Sequence, residues 1–148
     1  KDSNREIILM NDAVACIVYN KEKNKILLVK QDRFAIKGEN KTSWEIPAGM
    51  LDIEGESNED CLVRELKEET GLNIDDFEFL CNPYSLIGCC THQIAIYKAF
   101  AEEIRVDFYD SNVTEARWFT INEVQDMINK EVIKDTKTIL AFFMTNKN

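Results

Sequence analysis

The order of elements along this chain predicts an α+β or α/β sandwich, on three observations. Short apolar, β-branched runs separated by polar turns fill the first third. A capped amphipathic helix interrupts them near the middle, and two more helical segments follow the last strand. Hydrophobic residues make up 45% of the 148 and charged residues 30%, with two prolines and five glycines, so the chain is expected to fold as one domain with a substantial core.

Residues 1–12 are too few for a unit of their own. Residues 13–19 (AVACIVY) read as a buried strand, 20–24 as a polar turn and 25–31 (KILLVKQ) as the returning strand of a hairpin. Residues 32–43 are polar and mixed, a surface loop, and residues 44–46 form a short strand leading into a non-helical turn at Pro47-Ala48-Gly49. Ser57 with Asp60 three residues later is a capping-box-like start that places a helix N-terminus near Asn58. Leu62, Val63 and Leu66 give that helix a side to bury, and Gly71 stands where a left-handed residue would stop it. Residues 76–86 and 93–100 read as strands flanking a Gly88-Cys89-Cys90-Thr91 connection, 101–113 as a long polar loop and 116–120 (ARWFT) as a strand. Residues 122–129 form a helix after a good N-cap, and 133–144 a second, amphipathic one.

The net charge of −9 excludes nonspecific binding to nucleic acid polymers or anionic membranes, both of which need basic surface. No apolar run approaches the roughly 18 residues of a membrane span. Five cysteines (Cys16, Cys61, Cys81, Cys89 and Cys90) are odd in number and lack a C-x-x-C spacing, which argues against zinc and thioredoxin-like roles. With no signal peptide opening the chain, a reduced, cytoplasmic setting is expected. The sole histidine, His92, stands in no nucleophile-elbow pattern, which disfavours a Ser-His or Cys-His hydrolase.

Much of the acidity is local. Residues 49–72 hold eight acids against two bases, a local charge of −6. Within that helix Glu65, Glu68 and Glu69 are three and four apart, so they are expected to share one outward patch. Like charges there cost a few tenths of a kcal/mol per pair, and a solvated helix gains nothing from them. A hard divalent cation does suit them, since Mg²⁺ and Mn²⁺ prefer carboxylate oxygens and bind alongside substrate phosphates. A carbonyl from the Pro47-Ala48-Gly49 turn would complete such a shell.

These residues carry a family resemblance. Glu56, seven residues, then Arg64-Glu65-Leu66-Lys67-Glu68-Glu69-Thr70-Gly71-Leu72 resembles the second half of the Nudix box at every fixed position. The first half departs from it: six residues separate Gly49 from Glu56 where the box has five, a one-residue insertion in the loop between them. The resemblance implies the Nudix fold, a mixed β-sheet between helices in an α/β/α sandwich, and metal-dependent hydrolysis of a nucleoside diphosphate linked to X. Leu28-Val29-Lys30-Gln31-Asp32-Arg33, Glu45-Ile46-Pro47-Ala48-Gly49, Tyr84-Ser85-Leu86-Ile87-Gly88 and residues 132–138 resemble segments of the ADP-ribose and ADP-sugar pyrophosphatase branch. That branch would make AMP and a sugar phosphate. A triphosphate or dinucleotide hydrolase, or a catalytically silent nucleotide-sensing module, is the alternative.

On this resemblance Glu65, Glu68, Glu69 and the Ala48 carbonyl would bind Mg²⁺ or Mn²⁺, and Arg64 would hold the glutamates by ion pairing. Glu56 either supports Arg64 or is a solvated acid near the helix start. The general base is a box glutamate or an acid around the 101–113 loop, for which Asp110 and Glu115 are the candidates. Arg33, Trp44, Glu45, Tyr84 and Gly88 are the candidate substrate-binding residues, with Phe34, Trp44, Tyr84 and Phe108 as aromatic faces for a base, Trp44 and Tyr84 reading equally well as core residues. Either a monomer or a homodimer is compatible with this sequence.

Overall fold

The computed structural model describes residues 6–104 and 112–146. Among them seven strands form one mixed sheet with three helices. The strands are β1 (Ala13–Asn20), β2 (Lys25–Asp32), β3 (Thr42–Glu45), β4 (Ala48–Met50), β5 (Glu78–Cys81), β6 (Ile94–Ala101) and β7 (Val113–Thr120). The helices are α1 (Asn58–Thr70), α2 (Ile121–Asn129) and α3 (Thr136–Thr145).

β1 is the axis of the molecule, and all eight of its residues are buried. It pairs antiparallel with β2 and β4 and parallel with β6; β2 carries β3 and β7, and β6 carries β5, both antiparallel. A strand buried on both faces has no polar side to show, which is why AVACIVY reads as a continuous apolar run. Its side chains alternate between two cores. Val14, Cys16 and Val18 pack with Cys61, Leu62 and Leu66 of α1. Ala15, Ile17 and Tyr19 pack with Val124 of α2 and with Ala141 and Phe142 of α3. The result is the α/β/α sandwich expected from sequence.

The helix caps follow their local chemistry. The Ser57 hydroxyl accepts the Asp60 amide (3.1 Å), and Gly71 at φ 72° donates its amide to the Lys67 carbonyl. At α2, Thr120 and Glu123 form a reciprocal capping box.

Several expectations are corrected. Thr42 and Ser43, read as loop, belong to β3, because Gln31 and Asp32, the latter one residue past the strand read from sequence, pair with them. Ala48-Gly49, read as a turn, forms β4 against Val14 and Ala15. The strand expected over 76–86 shrinks to Glu78–Cys81, with Tyr84 making only an isolated bridge to Gln93. β7 begins at Val113 rather than 116, and α3 begins at Thr136, since Asp135 caps it and Ile133 is a core residue ahead of it. Val63 stands half out of the core, its place on α1 taken by Cys61.

Candidate functional site

The site is built where α1 passes beneath β4. The α1 face toward the sheet carries Leu62 and Leu66, and one turn further Glu69, whose residue is only 2% exposed. This overturns the expectation that all three glutamates face outward, because β4 and the Gln31 side chain cover Glu69. A buried carboxylate is costly unless hydrogen-bonded. Glu69 accepts the Ala48 amide (2.9 Å) and the Gln31 side-chain amide. The contact seen from Ala48 to the box is thus made by its N–H.

Glu65 lies one turn earlier, its side chain 12% exposed, with its carboxyl group against Gly49. A Cβ built at Gly49 would stand 1.8 Å from the Glu65 carboxyl carbon. Glycine is required here because a carboxylate occupies its side-chain space, not because of its backbone angles. Glu68 is half exposed, 3.6 Å from the Arg64 guanidinium.

Arg64 ties this cluster together. Its Nε and Nη2 donate to both oxygens of Glu56 (2.8 and 2.9 Å), while Nη1 donates to Glu65 (2.6 Å). The hydrogen bond to Arg64 holds the Glu56 carboxyl below the usual carboxylate range. Glu56 is ion-paired with Arg64 through both of its oxygens, its side chain 10% exposed. The inserted residue is absorbed in the loop between Met50 and Glu56, where Gly55 takes φ 81° and the Glu56 amide reaches the Ile53 carbonyl. On either side of this loop, Gly49 meets Glu65 and Glu56 meets Arg64. Burial pushes the Cys61 thiol up to about 12, so it is no thiolate nucleophile despite the nearby guanidinium.

Among the described residues no group of three His, Cys, Asp or Glu side chains already stands together in a metal-holding arrangement. Arg64 draws Glu65 toward Glu56, Glu69 turns under β4, and Glu68 points outward. The donor set nevertheless suits a hard divalent cation. Asp52, Glu65 and Glu69 line one cavity of about 510 Å³ together with Gly49 and Gln31.

A second cavity of about 430 Å³ adjoins it, between Tyr84, Ser43 and the start of α3. Arg33, His92, Ile94 and Lys137 line both. Glu45 sits at this junction. It accepts from Arg33 Nε (2.7 Å) and Nη2 (2.8 Å) and from Lys137 Nζ (2.5 Å). Burial would raise its pKa, but the Arg33 and Lys137 contacts prevail and bring it to about 2.

The candidate substrate residues divide accordingly. Arg33, Glu45 and Tyr84 line the second cavity. Trp44 does not, because strand alternation puts Ser43 and Glu45 on one face and Trp44 on the other, where it packs edge-on to Phe119 at 4.9 Å. Gly88 lies in the turn before Cys89 and lines neither cavity. Phe34 borders the first cavity. Glu115 sits within β7 opposite Lys30 rather than on a loop, and it also lines neither cavity. Asp110 and Phe108 lie outside the described residues. Three wall residues escaped the sequence reading. Asp52 carried no signal there. Gln31 had one, as a polar residue at an inward position of an apolar strand. Lys137 had none, because a helix read from 133 leaves it in the second turn, and only the start of α3 at Thr136 puts it in the first. Ser85 Oγ meets His92 Nδ1 at 2.9 Å, but no acid stands on the other ring nitrogen among the described residues, so the pair is no triad.

This fold and this box place the chain in a class of hydrolases. The model of the Nudix domain family matches residues 10–142, and the chain belongs to that family. It is 33% identical to a methanol dehydrogenase activator of Bacillus methanolicus over 142 residues, 94% of this chain and 74% of that protein. It is 30% identical to a GDP-mannose pyrophosphatase of Pectobacterium atrosepticum over 146 residues, 92% of this chain and 73% of that protein. It is likewise 30% identical over 119 residues to the human NAD-capped RNA hydrolase NUDT12, covering 76% of this chain but 23% of that longer protein. Among the described residues no helix is long and apolar enough to cross a membrane.

Proposed function

We propose that this chain hydrolyses the diphosphate of a nucleoside diphosphate sugar, releasing a nucleoside monophosphate and a sugar phosphate. The observation that carries the reading is the Arg64 cluster: one guanidinium clamps Glu56 and Glu65, while Glu69 is held beneath β4 at the wall of the same cavity. A binding module has no use for that concentration of buried and restrained carboxylate. ADP-ribose is the substrate suggested by the sequence segments around Arg33, Glu45 and Tyr84. GDP-mannose is suggested by the relatives named for it. Both are diphosphates joined to a sugar.

Glu65, Glu68 and Glu69 are the residues that would hold Mg²⁺ or Mn²⁺. A divalent ion there would neutralise phosphate charge and acidify a water at neutral pH. The chain's own contribution is positional. Arg64 fixes Glu65 in a partly buried place, Glu56 fixes Arg64, and the Ala48 amide with Gln31 fixes Glu69. Gly49 keeps the space that Glu65 occupies. Asp52, in the cavity wall, joins the box glutamates as a candidate proton acceptor.

The reading is tested by incubating the protein with ADP-ribose and GDP-mannose in Mg²⁺ and separating the products. AMP or GMP is the expected result. A second reading, a regulatory module acting on a dehydrogenase, is favoured by the relative named as a methanol dehydrogenase activator. Turnover of neither nucleotide sugar would favour it.

A further inference from the structure

The short connector that brings Ala48 to Glu69 has a second anchor, on the opposite side of the sheet. From β3 into β4 the chain runs Ile46-Pro47-Ala48, and Pro47 has no N–H. The Ala48 N–H donates to Glu69 of α1 (2.9 Å), and the Ile46 N–H donates to the Thr138 hydroxyl of α3 (2.9 Å). The two helices pack on opposite faces of β1, α1 against Val14, Cys16 and Val18 and α3 against Ala15, Ile17 and Tyr19. The connector is therefore strung between one side chain from each helical layer. Between them the Pro47 carbonyl accepts the Cys16 N–H (2.9 Å).

The Thr138 end of this arrangement is fixed from both sides. Thr138 and Ile46 are each buried. The Thr138 hydroxyl lies 2.5 Å from the Asp135 carboxylate, which only accepts, so the hydroxyl proton is directed there and the oxygen lone pairs are left for Ile46. The Thr138 N–H donates to the same Asp135 oxygen (3.0 Å) as part of the α3 cap. Capping accounts for the contacts between Thr138 and Asp135, three positions apart. It does not account for a buried hydroxyl that accepts from a peptide 92 positions away, two residues before Ala48. Without that hydroxyl the Ile46 N–H would be buried with no acceptor, and the connector would have to shift to find one. Ala48 would move with it.

We infer that Thr138 is a positioning residue for Glu69, acting through Ile46 and Ala48, so that α3 sets the place of a carboxylate carried by α1. The inference rests on Glu69 as a cation-holding residue under the function proposed above.

Amide hydrogen exchange, followed by NMR on the full chain, tests the relay without turnover. Thr138→Val keeps the shape of the side chain and removes the hydroxyl. In that variant the Ala48 amide should exchange about tenfold faster relative to the amides of β1, because its partner is misplaced locally. A merely structural loss would speed all of them alike. Mn²⁺ affinity, read from the free-ion electron paramagnetic resonance signal, should weaken about tenfold, the low end of the range for groups that orient metal ligands. Thr138→Ser keeps the hydroxyl and should bring both values back to within about threefold of wild type. Should Thr138→Val fail to fold, wild type reads the relay in reverse: bound Mg²⁺ should slow exchange of the Ile46 amide, since coupling between two sites is reciprocal. Ala48 exchange that rises no more than that of β1, unchanged Mn²⁺ affinity in Thr138→Val, a loss that serine does not restore, or an Ile46 amide indifferent to bound Mg²⁺ would each overturn the inference. The expected response to Thr138→Val, in a protein that cleaves no nucleotide sugar, would support the relay and discard the substrate proposed above.

Discussion

Replacing Gly49 by alanine isolates the role of a single carboxylate. Gly49 lies in β4 and is not among the glycines with positive φ, so alanine is sterically allowed by the backbone. What it meets is Glu65, with the new methyl 1.8 Å from the carboxyl carbon and 2.1 Å from Cγ and Oε1. Carbon–carbon contacts settle at about 3.5 Å, so the carboxyl group must retreat by roughly 1.5 Å or more. Misplacing a reacting group by about 1 Å costs on the order of 10²-fold in rate. Stability should change little. Lost chain entropy in the unfolded state favours alanine by about 0.4–1 kcal/mol, and overpacking opposes it by about 1–3 kcal/mol. Gly49→Ala is therefore expected to lower kcat by about 10²-fold while Tm falls by only a few degrees. The assay is nucleoside monophosphate release in Mg²⁺, paired with thermal unfolding followed by circular dichroism. Wild-type kcat in a folded Gly49→Ala protein would refute the placement of Glu65 at the reacting centre.

Further outcomes follow from the same geometry. Glu69→Gln should abolish metal-dependent turnover yet stay folded, because the Gln31 amide can flip to offer its oxygen to the new NH₂ while Ala48 keeps an acceptor; near-wild-type rates would remove Glu69 from the metal assignment. Glu45, brought from an ordinary 4.5 to about 2, has a depressed folded-state pKa, so its stabilisation is present above pH 4.5 and is lost as pH falls toward 2. The shift corresponds to about 3 kcal/mol, so the gap in urea stability between wild type and Glu45→Gln should be about that at pH 7 and shrink steadily below pH 4.5. A gap independent of pH would show that the Arg33–Glu45–Lys137 contacts are not what holds Glu45 ionised. His92→Ala should leave kcat within about threefold of wild type, since no acid orients the ring for base catalysis; complete loss in a folded variant would revive a histidine-dependent mechanism.

The sequence made some features legible and hid others for physical reasons. The buried hairpin and the caps of α1 were readable because they depend on local chemistry: the unbroken apolar run of β1, the Ser57 hydroxyl and the left-handed Gly71. The pairing of Arg64 with Glu56 was half-readable, since the spacing allowed it but equally allowed a solvated Glu56 near the helix start. The burial of Glu69 was not readable, because helical spacing puts the glutamates on adjoining faces and only the tertiary placement of β4 decides which of them is covered. Gly49 against Glu65 was hidden for the same reason, being a contact between a strand and a helix 16 positions apart. Whether Trp44 faces the cavity or the core was not readable, because only the pairing of β3 decides which face of the strand turns inward, and alternation separates Trp44 from its neighbour Glu45. Lys137 joins the site across 92 residues from Glu45, a distance no motif spans.

On the proposed function, the Arg64-centred carboxylates cleave a nucleotide sugar at its diphosphate with a divalent cation. It is tested most directly by incubating the wild-type chain with ADP-ribose and with GDP-mannose, each in Mg²⁺ and in EDTA, and resolving the nucleotides chromatographically. AMP or GMP with the matching sugar phosphate is expected in Mg²⁺ and none in EDTA. Equal product in EDTA, or intact nucleotide sugars after prolonged incubation of a folded protein with Mg²⁺, would contradict it.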